Sequence, residues 1–296
     1  MKYKQYTYSP ALLDQIVYSV VTPVYNQEHI IVKNVNSVIQ CTQGLFEVIL
    51  VLDYCFDETE TRLLTFLSSL TPPPNLVQIT IYKESVKPLF ETKCDNIGFR
   101  NALGTFCLEI QADMEMTEMG YNLQLTRPFT RYANVIAVSG RCAHQLFDVM
   151  NGTGDRRTPL DRDTFYVYET CNRGPLLLDR KKLEELDYLD EENYFLDDSD
   201  HDLMARAFLY KNYICGHVPI DYNSPMEDGS TRRQVVNERE EDRVNQREKD
   251  RIKTKLATRP GLAKFLPLWY CRNPILLNIN KEERRDENRI LEHPRR

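Results

Sequence analysis

Residues 46–53 read FEVILVLD, an apolar run that is interrupted only at Glu47 and ends in Asp53. A continuous apolar run of this length predicts a strand that is buried on both of its faces. Strands of this kind are typical of parallel sheets, in which helices cover both sides. The neighbouring segments should therefore contain helices and further buried strands.

Upstream of this run, the chain predicts one strand and one helix. Residues Ile16 to Thr22 form a second apolar run, which is broken by Pro23. Residues 29–41 carry apolar side chains four positions apart, which is typical of one face of a helix. The order strand, helix, strand is that of a crossover between parallel strands.

Downstream, the same alternation continues. Residues 58–70 predict a second helix, which is stopped by the prolines of TPPPN, and residues 76–83 predict a third strand. We therefore predict an α/β domain with a Rossmann-like, mostly parallel central sheet flanked by helices. Ligands in such sheets bind at the carboxyl ends of the strands.

Charge divides the chain into two parts. The net charge of −6 over 296 residues argues against a nucleic-acid-binding protein. Residues 231–296, however, hold 18 Lys and Arg against 11 Asp and Glu. We therefore predict a main domain over residues 1–230 and a charged, mainly helical C-terminal extension over residues 231–296.

The sequence also carries expectations about location. No stretch is apolar enough for a signal peptide or a membrane span, and the eight cysteines form no CxxC pair. These features predict a cytoplasmic protein with reduced thiols.

Basic residues recur every four positions from Arg239 to Lys255, interleaved with acids. We interpret this stretch as an exposed, salt-bridged helix, and peripheral contact with a membrane face remains an alternative.

Polar residues follow the first two predicted strands. Tyr25 comes after the first strand, and Asp53 and Asp57 come after the second. A carboxylate at a strand end can accept hydrogen bonds from a ligand, and a tyrosine can stack on a base. Strand-end aspartates are also ordinary turn formers, and a tyrosine there can simply be half-buried.

The segment LEIQADMEM, residues 108–116, ends in Asp113 and Glu115. Two carboxylates can hold Mg²⁺ or Mn²⁺ together with phosphate oxygens. Residues two apart in a strand point to the same side, so both acids can reach one ion if the strand continues past Asp113. Acids that merely end a strand are the alternative.

A denser group of acids, Asp197, Asp198, Asp200 and Asp202, opens a predicted helix. Like charges this close need a cation, basic partners or a raised pKa, although acids also favour helix starts. Further on, Arg232 and Arg233 lie in a loop with Gly and Ser. Such arginines suit phosphate oxygens, with a solvated surface as the alternative.

In order and spacing, these segments resemble family 2 inverting glycosyltransferases of the GT-A fold. The stretch VVTPVYNQEHIIVKNVNSVIQ is similar to the family's first strand, loop and helix. EVILVLDYCFDET is similar to its second strand, where Asp53 takes the place of the aspartate that reads the base. At the preceding position, Leu52 replaces an aspartate.

Two later segments complete the resemblance, which covers about two thirds of the chain. ALGTFCLEIQADMEM is similar to the metal-motif segment, with Asp113 as the metal ligand and Gln111 in place of the first aspartate. YFLDDSDHDLMARAF is similar to the stretch that carries the catalytic base. Asp200 takes the position of that base, and Ser199 stands where glutamate is usual.

The resemblance implies transfer of a sugar from a nucleotide diphosphate sugar, with UDP as the favoured nucleotide, to a hydroxyl acceptor such as a glycan. The donor half would cover residues 15–118 and the acceptor half residues 119–230. The cofactor would be Mn²⁺ or Mg²⁺. The residues implied for the donor are Pro23, Tyr25, Asn26, Asp53, Gln111, Ala112, Arg232 and Arg233. Those implied for the metal are Asp113 and Glu115, and the catalytic base is Asp200. Those implied for acceptor contact or loop support are Asp198, Ser199, Asp202, Arg206, Asn172 and Arg173.

Two other functions stay open. The departures at Leu52, Gln111 and Ser199 suit a catalytically inert GT-A module that binds a nucleotide-sugar or glycan. A sugar nucleotidyltransferase ranks last, because no Gly-rich, basic phosphate loop follows the first strand.

Overall fold

The computed structural model describes residues 2–141, 161–168, 170–171, 173–196, 199–224 and 275–279. The strands are β1 Lys2–Thr7, β2 Tyr18–Val24, β3 Phe46–Asp53, β4 Leu76–Glu84, β5 Phe106–Glu109, β6 Glu115–Met116, β7 Val135–Arg141, β8 Thr164–Tyr168, β9 Leu176–Asp179, β10 Ile214–Pro219, β11 Tyr222–Asn223 and β12 Ile275–Asn278. The helices are α1 Ile31–Cys41, α2 Thr59–Ser68, α3 Glu91–Arg100, α4 Tyr121–Arg131, α5 Arg180–Glu185 and α6 Ser199–Lys211. A short 3-10 helix covers Pro10–Gln15.

Ten strands form one sheet in the order β1-β4-β3-β2-β5-β9-β7-β10-β8-β12, and β6 pairs with β11 in a small second sheet. Strands β4, β3, β2 and β5 are parallel neighbours, as are β7 and β10. Strands β1, β9 and β8 run in the opposite direction. Most strands thus share one direction, and the predicted α/β architecture with a flanked, mostly parallel sheet is confirmed.

Two apolar cores cover the two faces of the sheet. Successive residues of β2 point to opposite faces, so Val20 belongs to one core and Val21 to the other. Helices α1, α2 and α4 pack in the first core, and α3, α5 and α6 pack in the second. Helix α3 approaches β2 very closely, since a Cβ on Gly98 would lie 2.2 Å from Cγ1 of Val21.

Strand β2 differs from the strand that was predicted over Ile16 to Thr22. Pro23 does not break it: β2 continues to Val24, and Pro23 lies opposite Val51 of β3. Strand β2 pairs with β5 only as far as Val21. Pro23 therefore lies where β2 has one neighbour, a place where proline is tolerated.

The far edge of the sheet contains a strand from the predicted C-terminal extension. Strand β12, residues 275–278, pairs antiparallel with β8. These four residues therefore belong to the main sheet. The helices predicted for the rest of the extension lie outside the described residues. No helix in the described ranges is long and apolar enough to cross a membrane.

Candidate active site

The ends of β2 and β3 bring several predicted donor residues to one edge of the sheet. Pro23 is the next-to-last residue of β2, and Tyr25 and Asn26 follow that strand. The Tyr25 ring is buried and packs edge-on against Phe56, with 6.1 Å between the ring centroids. Oδ1 of Asn26 accepts a hydrogen bond from the Phe56 amide at 3.1 Å. The loops after β2 and β3 are thus bound to each other.

Asp53, at the end of β3, holds the loop before α3. Its Oδ1 accepts from the Leu89 amide at 2.6 Å, and its Oδ2 accepts from the Phe90 amide at 3.1 Å. Asp57 acts similarly at α2, where Oδ1 accepts from the Thr59 amide at 3.0 Å. The turn-forming interpretation of Asp57 is therefore supported, and Asp53 fixes where α3 begins.

The segment LEIQADMEM does not remain a strand. Strand β5 ends at Glu109, residues 112–113 form a turn, and Glu115 begins β6. The condition that would place Asp113 and Glu115 on one face of one strand is therefore not met. Asp113 is buried, whereas Glu115 accepts from Nζ of Lys33 at 2.8 Å and from Nδ2 of Asn223 at 3.0 Å. The Lys33 ammonium holds the pKa of Glu115 below its usual value.

A cluster of three carboxylates, two of them buried and Glu91 half-buried, lies at the same edge and was not predicted from the sequence. Oxygens of Glu91, Asp95 and Glu109 all lie within 4.8 Å of one another. Nη1 of Arg173 lies 2.7 Å from Oε1 of Glu91 and 3.3 Å from Oδ2 of Asp95. The amide of Gly174 donates to Oε2 of Glu109 at 3.1 Å. The spacing would suit a metal ion, but the guanidinium already supplies the positive charge there.

Burial affects two of these carboxyls. It raises the pKa of Asp95 and that of Glu109 well above their usual values, although the nearby Arg173 charge acts in the opposite direction. Among the described residues, neither oxygen of Asp95 nor Oε1 of Glu109 has a hydrogen-bond partner. Glu109 accepts one hydrogen bond, from Gly174, and Asp95 has the Arg173 charge 3.3 Å away, but burial outweighs these contacts and favours the neutral form of both carboxyls. Burial alone would lower the pKa of Arg173, but its acidic neighbours hold that pKa well above the usual value.

Arg173 also connects this cluster to the start of α6. Its backbone amide donates to Oδ2 of Asp200 at 2.9 Å, and Oδ1 of Asp200 accepts from the His201 amide at 3.0 Å. Nη2 of Arg173 donates to the hydroxyls of Ser199 and Thr92, the latter at 3.2 Å. Both carboxylate oxygens of Asp200 are therefore held by backbone donors.

These contacts form a continuous chain across the site. Nε2 of Gln111 donates to Oε1 of Glu91 at 2.9 Å, Glu91 pairs with Arg173, and Arg173 holds Asp200. The structure thus brings together the segment around Asp113 and the start of α6.

Asp202 and Arg206 form a separate buried pair on α6. Nε of Arg206 donates to Oδ2 of Asp202 at 2.8 Å. Nη1 of Arg206 donates to the Leu186 carbonyl, and Nη2 donates to the Tyr188 carbonyl at 2.7 Å. These contacts support the interpretation that both residues stabilise the loop and helix.

Some predicted residues are not part of these contacts. Ala112 is buried beside Asp113 and has no polar side-chain group. The predicted residues Asn172, Asp198, Arg232 and Arg233 lie outside the described residues.

One feature of the sequence does point to the carboxylate cluster. Glu91 and Asp95 are four residues apart on one helix, and Glu109 is the acidic last residue of an otherwise apolar strand.

No protein-family model and no curated protein sequence matches the chain. Solved structures do match. The mannosyltransferase PcManGT from Pyrobaculum calidifontis, in complex with GDP-Man and Mn²⁺, shares 13% identity over 84% of this chain and 78% of its own, with a TM-score of 0.54. S. aureus TarS 1–349 in complex with UDP-GlcNAc shares 17% identity over 84% of this chain and 69% of its own, with a TM-score of 0.53.

Other matches cover less of the solved chain. GalNAc-T7 with UDP, GalNAc and Mn²⁺ shares 15% identity over 69% of this chain, with a TM-score of 0.54, and the match spans 42% of GalNAc-T7. A further structure of S. aureus TarS 1–349 shares 19% identity over 73% of this chain, with a TM-score of 0.51, and the match spans 63% of that chain. Identities this low are informative about the fold alone, and these neighbours are GT-A-type glycosyltransferases. The chain therefore has the α/β architecture of the GT-A fold.

Proposed function

We propose that the protein transfers a sugar from a nucleotide diphosphate sugar, with UDP as the favoured nucleotide, to a hydroxyl of a glycan acceptor with inversion. The observation that carries this proposal is the chain of contacts from Gln111 through Glu91 and Arg173 to Asp200. It joins the segment proposed to bind the donor to the residue proposed to activate the acceptor. The GT-A fold adds support, since TarS and PcManGT were solved with UDP-GlcNAc and GDP-Man.

Asp113 is the residue best suited to hold Mn²⁺ or Mg²⁺. It offers a hard carboxylate oxygen at the end of the β5 segment, and such ions are often held by one or two carboxylates plus phosphate oxygens. Glu115 fits less well because Lys33 already neutralises it, and the Glu91 cluster fits less well because Arg173 occupies it. When bound, the ion would stabilise negative charge on the leaving diphosphate. PcManGT and GalNAc-T7 were solved with Mn²⁺.

Asp200 is the proposed general base. The amides of Arg173 and His201 hold its carboxylate in one orientation at the start of α6. The carboxylate accepts the proton of the acceptor hydroxyl while that oxygen attacks the anomeric carbon. Attack from the side opposite the diphosphate forms the new glycosidic bond, breaks the bond to the diphosphate and inverts the anomeric centre.

A specific observation favours a second function, binding of a nucleotide-sugar or glycan without catalysis. Both oxygens of Asp53 accept hydrogen bonds from the backbone amides of Leu89 and Phe90. The side-chain amide of Gln111 donates a hydrogen bond to Glu91. Two residues proposed to contact the donor are therefore engaged within the protein. An inert module would bind its ligand without releasing the nucleotide.

Substitution of the proposed base tests the proposal. We expect Asp200→Asn to lower transfer about 100-fold or more, the usual contribution of a general base, while donor binding measured by thermal shift with Mn²⁺ is retained. The control is Asp14→Asn, an exposed carboxyl of the 3-10 helix, which should behave like the wild type. If Asp200→Asn keeps most of its activity, the base is another residue. Donor binding by the wild type without nucleotide release would favour the inert module.

A further inference from the structure

We propose that Arg173 is a positioning residue for Asp200 and that Glu91, Asp95 and Glu109 hold Arg173 in place. This inference rests on the proposed function, because it assigns Asp200 the role of base. We call the five residues Arg173, Gly174, Glu91, Asp95 and Glu109 the carboxylate clamp.

The backbone of the clamp connects two elements of the site. The Arg173 amide donates to Oδ2 of Asp200 at the start of α6. The next amide, that of Gly174, donates to Oε2 of Glu109 at the end of β5. Since these two amides are adjacent in the chain, they fix the position of the Asp200 carboxylate relative to the end of β5.

The chain passes through this segment in a conformation that favours glycine and lies close to the Met114 side chain. Gly174 has φ +68, a left-handed conformation that favours glycine. A Cβ there would lie 2.1 Å from Cε of Met114 and 3.4 Å from Oε1 of Gln111. The clamp is therefore packed directly against the segment that carries Asp113.

The side chain of Arg173 supplies the remaining restraint. It is 8% exposed and pairs with Glu91 and Asp95 on α3, while its Nη2 donates to Ser199 on α6. A planar guanidinium can reach both helices at once, whereas the compact ammonium of a lysine cannot match this fork. Loss of the guanidinium would free residues 173–174 and let the amide move away from Asp200.

An arginine that only stabilises the fold would not affect the position of the Asp200 carboxylate. Arg180, for example, donates from Nε to the Gly104 carbonyl at 2.6 Å and is the first residue of α5, at the other end of β9. Its substitution should alter stability alone. Arg180→Lys is therefore the matched control for Arg173→Lys.

The test compares Arg173→Met, Arg173→Lys and Arg180→Lys by three measurements. The first is the donor Kd with Mn²⁺, the second is kcat at saturating donor and acceptor, and the third is amide hydrogen exchange at residues 173 and 174 by NMR. For Arg173→Met we expect a Kd within about threefold of the wild type, since the donor segment is intact. We expect kcat to fall about 100-fold, the order expected for a base displaced by about 1 Å.

Hydrogen exchange tests the carboxylate clamp without a measurement of turnover. In Arg173→Met the amides of residues 173 and 174 should exchange at least about tenfold faster than in the wild type, while the amides of the β-strands keep their rates. For Arg173→Lys, kcat and the exchange rates should lie between those of Arg173→Met and the wild type. Lysine keeps the positive charge but lacks the planar guanidinium that reaches both helices. Arg180→Lys should change neither.

The outcomes separate the two proposals. Unchanged exchange at residues 173 and 174 in Arg173→Met would overturn the clamp, whatever the activity. A fall in kcat that only follows a loss of folded protein would also overturn it. If the wild type turns over no nucleotide-sugar while exchange responds as expected, the proposed function fails and the clamp survives as a structural restraint on Asp200.

Discussion

At the scale of the residue, two buried carboxyls show how different the same group can be. Glu47 accepts from the hydroxyl of Ser19 at 2.6 Å, from Nε2 of Gln78 at 2.6 Å and from the Leu103 amide at 2.7 Å. Asp95 is equally buried, yet no described residue donates a hydrogen bond to it. Glu47 therefore stabilises the fold by accepting three hydrogen bonds, while Asp95 carries a desolvation cost that rises when it ionises.

This difference predicts a pH-dependent effect of Asp95→Asn. Burial raises the pKa of Asp95, so the folded state keeps its proton to a higher pH than the unfolded chain does. The wild type therefore loses stability as the pH rises from the unfolded value of about 4 towards the raised value. Asparagine has no such loss. As the pH rises above about 4, the free energy of unfolding of Asp95→Asn should therefore rise relative to that of the wild type, by up to about 1.4 kcal/mol per pH unit.

Denaturant titrations at a series of pH values check this slope. The control is Glu47→Gln. A glutamine there keeps one acceptor oxygen but turns its NH2 group towards at least one of the three donors, so it should destabilise the protein by about 1–3 kcal/mol. A relative stability of Asp95→Asn that falls as the pH rises would mean that Arg173 outweighs burial.

At the scale of the element, the placement of α3 depends on Gly98. The missing Cβ allows the helix to lie directly on β2, and this brings Glu91 and Asp95 to the strand ends. Gly98 lies within the helix without a left-handed φ, so space rather than backbone conformation requires glycine here.

Gly98→Ala should therefore destabilise the protein by about 1–3 kcal/mol through overpacking against Val21. In the double variant with Val21→Ala, the cost of the alanine at 98 should be smaller than in the wild-type background. Denaturant unfolding of the wild type, Gly98→Ala, Val21→Ala and the double variant measures the coupling between the two substitutions. Additive effects would show that the close approach of helix and strand is not the cause.

Elements with a strong apolar pattern were predictable from the sequence. Strands β3 and β4 and helices α1 and α2 lie within about two residues of their predicted bounds, since burial on one or both faces dictates the pattern. Strand β1 was not predicted, because its sequence KYKQYT is mostly polar and exposed. The carboxylate clamp was not predicted either. Glu109 and Arg173 are 64 positions apart, and only the antiparallel pairing of β5 with β9 brings their segments together.

At the scale of the whole molecule, the last described strand is part of the main fold. Ile279 follows β12 and is buried in the first core. Its amide donates to the Asp163 carbonyl at 2.7 Å, and its carbonyl accepts from Nη2 of Arg131 at 3.3 Å. Residues 275–279 thus contribute to the stability of the domain that holds the site.

Ile279→Ala should therefore lower the free energy of unfolding by about 2–5 kcal/mol, the usual cost of removing a buried isoleucine side chain. Val86→Ala, at a position that is 82% exposed, should change it by less than about 0.5 kcal/mol. Thermal unfolding followed by circular dichroism measures both. If Ile279→Ala unfolds like the wild type, residues 275–279 are an independent extension.

Strand β1 has a consequence for how the molecules behave in concentrated solution. It forms the outer edge of the sheet beside β4, and its register shifts between Lys2 and Lys4, both of which are exposed. An edge strand with bare amides and carbonyls is a template for intermolecular strand pairing, and lysines and bulges both oppose such pairing. Without this strand, the apolar β4 would become the free edge. The polar segment before the first buried strand therefore protects the protein against aggregation.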